Sequence, residues 1–392
     1  MTISKKENNY YFKELESLRF WCCIWVVWVH IQFIEGFFYP NLIDKKTLLD
    51  PLNANMLIGE TIMSLLFTLS GFLISVVLLR TKLQTDRIDI AFFYTKRILR
   101  IWPLYYLTII LSLFILPSFE FFHIPNSSEF VYTNWTLKLL LYLFMLPQIA
   151  RFSTKFIPYL GHTWTIGVEE LFYFIWPLFL RNTKRYLLFF ISIIVFFTGI
   201  SLLAGVHPAG HKLPEYAKAE TQFGIFVQHF FYYNRLSCMA IGGIAAYLLL
   251  FEKTKITNII FNKYFQVILY LLCIILTYNL IYIPYFHHEF YSILSACIIL
   301  NLAANPNKLF SIHTNFTYLI GKMSYGVYMF HFIAITIAIK ILATLTTIET
   351  LAPIFRDLSL FILSYPITIL ISYVSYSYIE QPIINIRKKQ IL

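Results

Sequence analysis

Charge is what this chain lacks most. Only 13% of its 392 residues are Asp, Glu, Lys or Arg, about half of what a soluble domain carries, so a large soluble enzyme with an ordinary surface is excluded. Glycine and proline are scarce too, at 13 and 15 residues, which excludes collagen-like and Pro/Gly-rich disordered chains. The five cysteines (Cys22, Cys23, Cys238, Cys273 and Cys297) all lie inside apolar runs. They read as small core residues, with no disulfide or metal framework. No Gly/Ser-rich linker, low-complexity tract or internal repeat divides the sequence, so one membrane domain over 1–392 is expected. The polar N-terminus leads into a long aromatic run without a small-residue cleavage site, which reads as a retained first span and not a signal peptide.

What is present is apolar and aromatic. Hydrophobic residues make up 58% of the chain and aromatics 19%, with 39 Phe and 28 Tyr, and mean hydropathy is +0.67. The apolar runs are roughly 18 to 25 residues long, enough to cross a bilayer as helix. A β-barrel would instead alternate apolar and polar residues over segments of about ten. The expected fold class is therefore an all-α polytopic membrane protein, embedded in membrane lipid. Ten segments qualify, at about 17–39, 56–79, 98–117, 163–180, 186–206, 223–250, 264–283, 288–304, 319–340 and 357–379. A shorter piece at about 136–149 ends near Pro147 and reads as re-entrant or interfacial.

The net charge of +11 does not point to nucleic acid, because the basic residues cluster at the ends of apolar runs. With ten spans and both termini cytoplasmic, 21 of the 31 basic residues fall inside, Lys5 and Lys6 among them, nine fall outside, and Arg235 lies within a span. An eleventh span at 136–149 would put Arg181, Lys184 and Arg185 outside and invert every later loop.

Ionisable groups inside spans cost several kcal/mol on insertion scales, about 2.5–3.5 at a helix centre, so each is a candidate for function. Arg19 and His30 are eleven residues apart. That spacing places them within roughly 20° of one helix face and separates them by about 16 Å, so His30 is expected near the midplane. A snorkelling arginine and a hydrogen-bonded core histidine would show the same spacing. Arg97 and Arg100 form an i, i+3 pair before Trp102-Pro103. Two guanidiniums side by side repel unless an anion bridges them, and phosphate suits their fork geometry. A positive-inside anchor explains the charge but not the shared face.

Ser70-Gly71 offers a hydroxyl and close backbone approach within the second span. Arg235 requires either a structural carboxylate or a water-filled cavity. In Gly161-His162-Thr163-Trp164 through Glu169-Glu170, the two carboxylates point about 100° apart, so at most one faces a given cavity. Either could orient a hydroxyl or pair with a buried His or Arg. His331 is a second mid-span imidazole, ranked below His30 as a chemical group. The outer-side residues His123, His162, His207 and His211 are further candidates for acceptor contact. No close His/Cys/Asp/Glu cluster shows metal-ligand spacing, so no metal is expected.

Taken together, these elements resemble the acyltransferase-3 family of bacterial integral membrane acyltransferases. The resemblance runs from about residue 13 to 388. It is carried by Arg19 and His30, LFTLSGFLI around Ser70, Arg97-x-x-Arg100 with Pro103, Tyr105 and Tyr106, HTWTIGVEELFYFIWPL, the Arg235 element, GKMSYGVYMFH and YSYIEQPI. Trp164-Thr165-Ile166 departs mildly from the family's usual Trp-Ser-Leu.

The resemblance implies acyl transfer, usually of acetyl, from cytoplasmic acetyl-CoA or another acyl-CoA to a hydroxyl of a cell-surface glycan, lipopolysaccharide or lipid-linked precursor, in the bacterial inner membrane. Some members carry an extracytoplasmic SGNH domain. Because this chain stops soon after its last span, it is expected to act alone or with a separate extracytoplasmic acyltransferase partner. On this view Arg19, Arg97 and Arg100 hold the donor phosphates and the pantetheine arm passes Ser70. His30 is general base or acyl carrier, and Glu169 orients the acceptor. Arg235, His331 and Glu170 contact substrate. A glycan or acyl-glycan transporter is the alternative, since mid-membrane His and Arg would suit one, although no inverted repeat appears.

Overall fold

The computed structural model describes residues 12–42, 51–125, 131–154, 157–203, 222–251 and 255–390. Lys5, Lys6, His207 and His211 lie outside these residues. Among the described residues there is no β-strand, as expected of an all-α polytopic chain. The principal helices are α1 (Lys13–Phe38), α2 (Pro51–Thr85), α3 (Ile90–Ile110), α4 (Trp135–Leu143), α5 (Pro147–Ser153), α6 (Trp164–Asn182), α7 (Tyr186–Leu203) and α8 (Gln222–Tyr233). They continue as α9 (Leu236–Phe251), α10 (Lys255–Phe261), α11 (Lys263–Tyr278), α12 (His287–Ala304), α13 (Asn315–Lys322), α14 (Ser324–Leu345), α15 (Pro353–Ser375) and α16 (Gln381–Gln390).

Helix stands at each of the ten expected segments. Among the described residues, seven segments are long and apolar enough to cross a bilayer, or eight if α10 and α11, bent by 64°, count as one. The other two positions belong to α6 and α12. Glu169, Glu170 and Arg181 add charge to α6, and the His287-His288-Glu289 opening lowers the hydropathy of α12. The 136–149 segment forms α4 and α5 with a break between them. The nine residues of α4 extend about 14 Å, too short to cross. The expected span 223–250 stands among the seven, with its helix interrupted at Asn234-Arg235 between α8 and α9, and 319–340 is interrupted in the same way at Met323 between α13 and α14. The first break frees Arg235 from the regular helical ladder.

Segments expected on the same side meet. Lys82 Nζ at the end of α2 donates to the Leu180 and Thr183 carbonyls at the end of α6, at 2.8 and 2.7 Å. Lys308 pairs with Glu14 at 2.6 Å, and Gln266 joins the same end by accepting from Leu309 N at 3.0 Å. At the opposite end, Arg356 pairs with Glu35 at 2.5 Å, and Gln32 Nε2 donates to Asp357 at 2.7 Å.

Packing explains which helices surround the centre. A Cβ on Gly71 would run into the backbone of Met239, and one on Gly242 into the backbone of Thr68. Reciprocal glycines thus let α2 and α9 touch main chain to main chain, as small residues do between membrane helices. α1 lies against α2, α13, α14 and α15, with Val27, Ile31 and Ile34 fully buried. Helices α7 and α11 instead turn Val195, Phe196, Ile268 and Ile274 outward, as a lipid-facing surface does.

Candidate functional site

Two cavities occupy the space between α1, α2, α6 and α14. The first, about 130 Å³, is lined by Arg19, Ser70, Arg97, Arg100, Glu169 and Tyr173, among others. The second, about 170 Å³, is lined by His30, Glu60, Arg151, Trp164, Tyr232 and Arg235, among others. The fold therefore places Arg19, Ser70, Arg97, Arg100 and Glu169 in one cavity and His30 and Arg235 in the other.

The first cavity collects the basic residues of α1 and α3. Arg19 is tied to Glu16, one turn earlier, at 3.0 Å. Arg97 lies against the Phe93 and Tyr173 rings, with guanidinium carbons 5.5 and 5.3 Å from the centroids, and its buried Nε has no acceptor. Among the described residues neither Arg97 nor Arg100 forms an ion pair. Two guanidiniums on one helix face thus open on a cavity that also holds the Glu169 carboxylate. α2 runs unbroken through Ser70, whose hydroxyl donates to Glu169 Oε1 at 2.7 Å. Tyr173 donates to the other carboxylate oxygen at 3.0 Å.

Glu169 does not share a cavity with His30. It lines the cavity of the arginines and Ser70, whereas the carboxylate in the cavity of His30 is Glu60. The reason is geometric, since Ser70 and Tyr173 hold Glu169 toward α2. Glu170 points away, as the 100° offset requires, and its Oε2 accepts from Trp102 Nε1 at 3.4 Å. It lines neither cavity.

His30 is held from behind. Its Nδ1 lies 2.8 Å from the Val26 carbonyl and 3.2 Å from His331 Nε2. His331 Nδ1 in turn lies 2.6 Å from the Tyr328 carbonyl. A carbonyl only accepts, so both Nδ1 atoms carry protons, and in the neutral rings His331 Nε2 is an acceptor. His30 Nε2 is left as the bare nitrogen on a ring that lines the second cavity. His331 is fully buried and lines neither cavity; the ring it meets is that of His30. His162 is buried as well, its ring centroid 4.8 Å from that of His331. His123 is exposed and lines neither cavity.

Arg235 enters the second cavity from the break between α8 and α9. Its guanidinium carbon is 5.8 and 5.2 Å from the Trp164 and Tyr232 ring centroids. Its Nε donates to the Tyr232 carbonyl at 3.3 Å, and its buried Nη1 has no acceptor. The structural ion pair considered from sequence is not formed among the described residues. Arg151, from α5, completes this wall and donates to the Gly161 carbonyl at 2.9 Å. Glu60 and Arg151 were not singled out from sequence. Both stand near span ends, where charge is ordinary, and only their shared cavity with His30 distinguishes them.

The fold brings together one group of potential metal ligands that no local spacing announced. Glu60, His287 and His288 bring three potential ligand atoms within 4.8 Å of one another. The sequence hides this cluster because α2 and α12 are far apart along the chain. Tyr232 already donates to Glu60 at 2.5 Å, Ser64 pairs with His288 at 3.1 Å, and Arg235 borders the adjoining pocket. Those hydrogen bonds and that positive charge oppose a cation.

Comparison with known proteins identifies the family. The family described as Acyltransferase domain matches residues 12–376. A protein described as putative peptidoglycan O-acetyltransferase YrhL, from Bacillus subtilis, is 23% identical over 97% of this chain and 56% of its own length. Peptidoglycan O-acetyltransferase OatA of Listeria monocytogenes is 25% identical over 81% of this chain and 50% of its own. O-acetyltransferase OatA of Staphylococcus aureus is 24% identical over 86% and 54%. The chain thus spans about half the length of the curated relatives it matches. No solved structure matches it.

Proposed function

Since the chain belongs to the acyltransferase-domain family, we propose that it is a membrane O-acyltransferase carrying acetyl from cytoplasmic acetyl-CoA to a glycan hydroxyl. The acceptor is a cell-surface polysaccharide, lipopolysaccharide or lipid-linked precursor, and the relatives' names favour a peptidoglycan-like sugar chain. The enzyme lies in the cytoplasmic membrane with both termini inside. The reading is carried by one observation: an arginine-lined cavity adjoins a second cavity that holds a histidine with a bare ring nitrogen.

In this mechanism Arg97 and Arg100, with Arg19, bind the donor phosphates through charge-assisted hydrogen bonds. The pantetheine arm runs past Ser70 and Glu169 and brings the thioester toward His30. The acceptor enters the second cavity beside Trp164, Tyr232, Arg235 and Glu60. His30 Nε2 takes the proton of the acceptor hydroxyl as its oxygen attacks the thioester carbon. The carbon–sulfur bond breaks, and the leaving CoA sulfur takes that proton from His30 Nε2. The imidazolium formed keeps its Nδ1 proton on the Val26 carbonyl and His331 Nε2, which orients the ring and stabilises the charge. The same Nε2 lone pair would serve as nucleophile on an acyl-histidine route. No metal enters either route.

The test is acetyl-CoA binding and consumption by purified protein in nanodiscs. His30→Ala should bind donor yet lose turnover by about 10²–10⁴-fold, the usual worth of a general base. The Arg97→Ala/Arg100→Ala variant should lose binding. One acetyl group retained per protein without acceptor would identify the acyl-histidine route. A wild type that neither binds nor consumes acyl-CoA would overturn the reading in favour of a transporter.

A further inference from the structure

The junction between the two cavities bears on which acyl groups can react, given the reading that the arginine cavity holds the donor. Four residues line both cavities: Val26, Met63, Thr165 and Tyr328. Each comes from a different helix, in order α1, α2, α6 and α14, so the junction is walled on four sides. Three walls are held in place. The Thr165 and Tyr328 hydroxyls are 2.6 Å apart, and the Tyr328 hydroxyl donates to the His162 carbonyl, also at 2.6 Å. The Val26 side chain is buried, and its carbonyl accepts a hydrogen bond from His30 Nδ1. Met63, half-buried and unbranched, is the wall that can yield.

The donor arginines line one side of this junction and His30 lines the other. A thioester must therefore present its carbonyl through it to meet His30 Nε2. The cysteamine and β-alanine units behind the thioester carry no branch beyond planar carbonyl groups, so the passage need admit only a flat, slender chain. A branch or ring on the acyl carbon next to the carbonyl would strike Thr165 and Tyr328, whose hydrogen bonds hold them across the opening. We propose that Val26, Met63, Thr165 and Tyr328 form a selectivity ring that admits short linear acyl groups and rejects those branched or aromatic beside the thioester.

The experiment compares kcat/KM for acetyl-, isobutyryl- and benzoyl-CoA in nanodiscs for wild type, Met63→Ala and Val26→Ala. Wild type should favour acetyl over isobutyryl by more than tenfold, since methyl-sized differences in a closed apolar site are worth about 10–200-fold. Met63→Ala should narrow that ratio at least tenfold by raising isobutyryl turnover. Val26→Ala should act in the same direction and covers the case in which Met63→Ala fails to fold. Equal use of acetyl and isobutyryl by wild type would overturn the ring while leaving the acyltransferase reading in place. An unchanged ratio in both folded variants would do the same. Failure of wild type to turn over any acyl-CoA would remove the reading on which the ring rests.

Discussion

At the scale of single residues, the decisive relation is between His30 and His331, which sequence separates by 301 positions. His30 was legible because a histidine in a span demands a reason and its spacing from Arg19 supplied one. The part played by His331 was not legible, because an imidazole among aromatics looks alike whether it faces a cavity or backs another ring. The His30 Nδ1 proton is shared between the Val26 carbonyl and His331 Nε2, so His331 is a positioning residue. His331→Leu should lower kcat by roughly 10–100-fold, less than loss of the base itself, with donor affinity unchanged. His331→Gln, which restores an acceptor, should recover part of that loss. The kcat against KM split reads this directly, because a folding defect would lower the active fraction of both variants alike. In the other cavity, Arg97→Lys keeps the charge but loses the planar fork. It should raise the donor Kd about tenfold, close to the worth of one charge-assisted hydrogen bond, as titration calorimetry would measure.

Whole helices show where local reading succeeds and where it stops. Helix at each expected segment followed from apolar run length. The break at Asn234-Arg235 did not, because no Pro or Gly marks it and the surrounding residues are as apolar as a continuous span. What accompanies it is tertiary: Arg235 lies against the Trp164 ring of α6. The contact between α2 and α9 makes a sharper prediction. Gly71→Ala would drive a methyl into the Met239 backbone, and overpacking of this kind typically costs about 1–3 kcal/mol. Gly199 is the matched control, since a Cβ there meets nothing within 4 Å. Gly199→Ala should be neutral or slightly stabilising, by up to ~1 kcal/mol of helix propensity. Thermal unfolding in detergent would separate the two, and equal midpoints would show that the close approach is not needed.

For the whole molecule, the charge bias and the contacts at helix ends describe one arrangement. Lys82 with Thr183 and Lys308 with Glu14 join segments expected inside, and Arg356 with Glu35 joins segments expected outside. Cysteines introduced at Lys184 and Asn307 should therefore react with an impermeant thiol reagent from one side of a sealed vesicle. Those at Glu120 and Glu349 should react from the other. The five native cysteines are buried or half-buried, which keeps the background low. Labelling of Lys184→Cys and Glu349→Cys from the same side would refute the topology.

By itself the sequence determined that the chain is helical, multi-pass and embedded in a membrane. It also marked Arg19, His30, Ser70, Arg97, Arg100 and Arg235 as polar groups that lipid would not tolerate unused. These are properties of one segment at a time, and hydropathy, charge bias and i, i+3 spacing are written along the chain. Only the tertiary structure decided the company those groups keep. It placed Glu169 with the arginines, set Glu60 and Arg151 around His30, put His331 behind it, and drew one residue from each of four helices into the junction between the cavities. The physical reason is that a cavity is a relation among packed helices. Its walls come from residues tens to hundreds of positions apart, and no local pattern records which faces will meet.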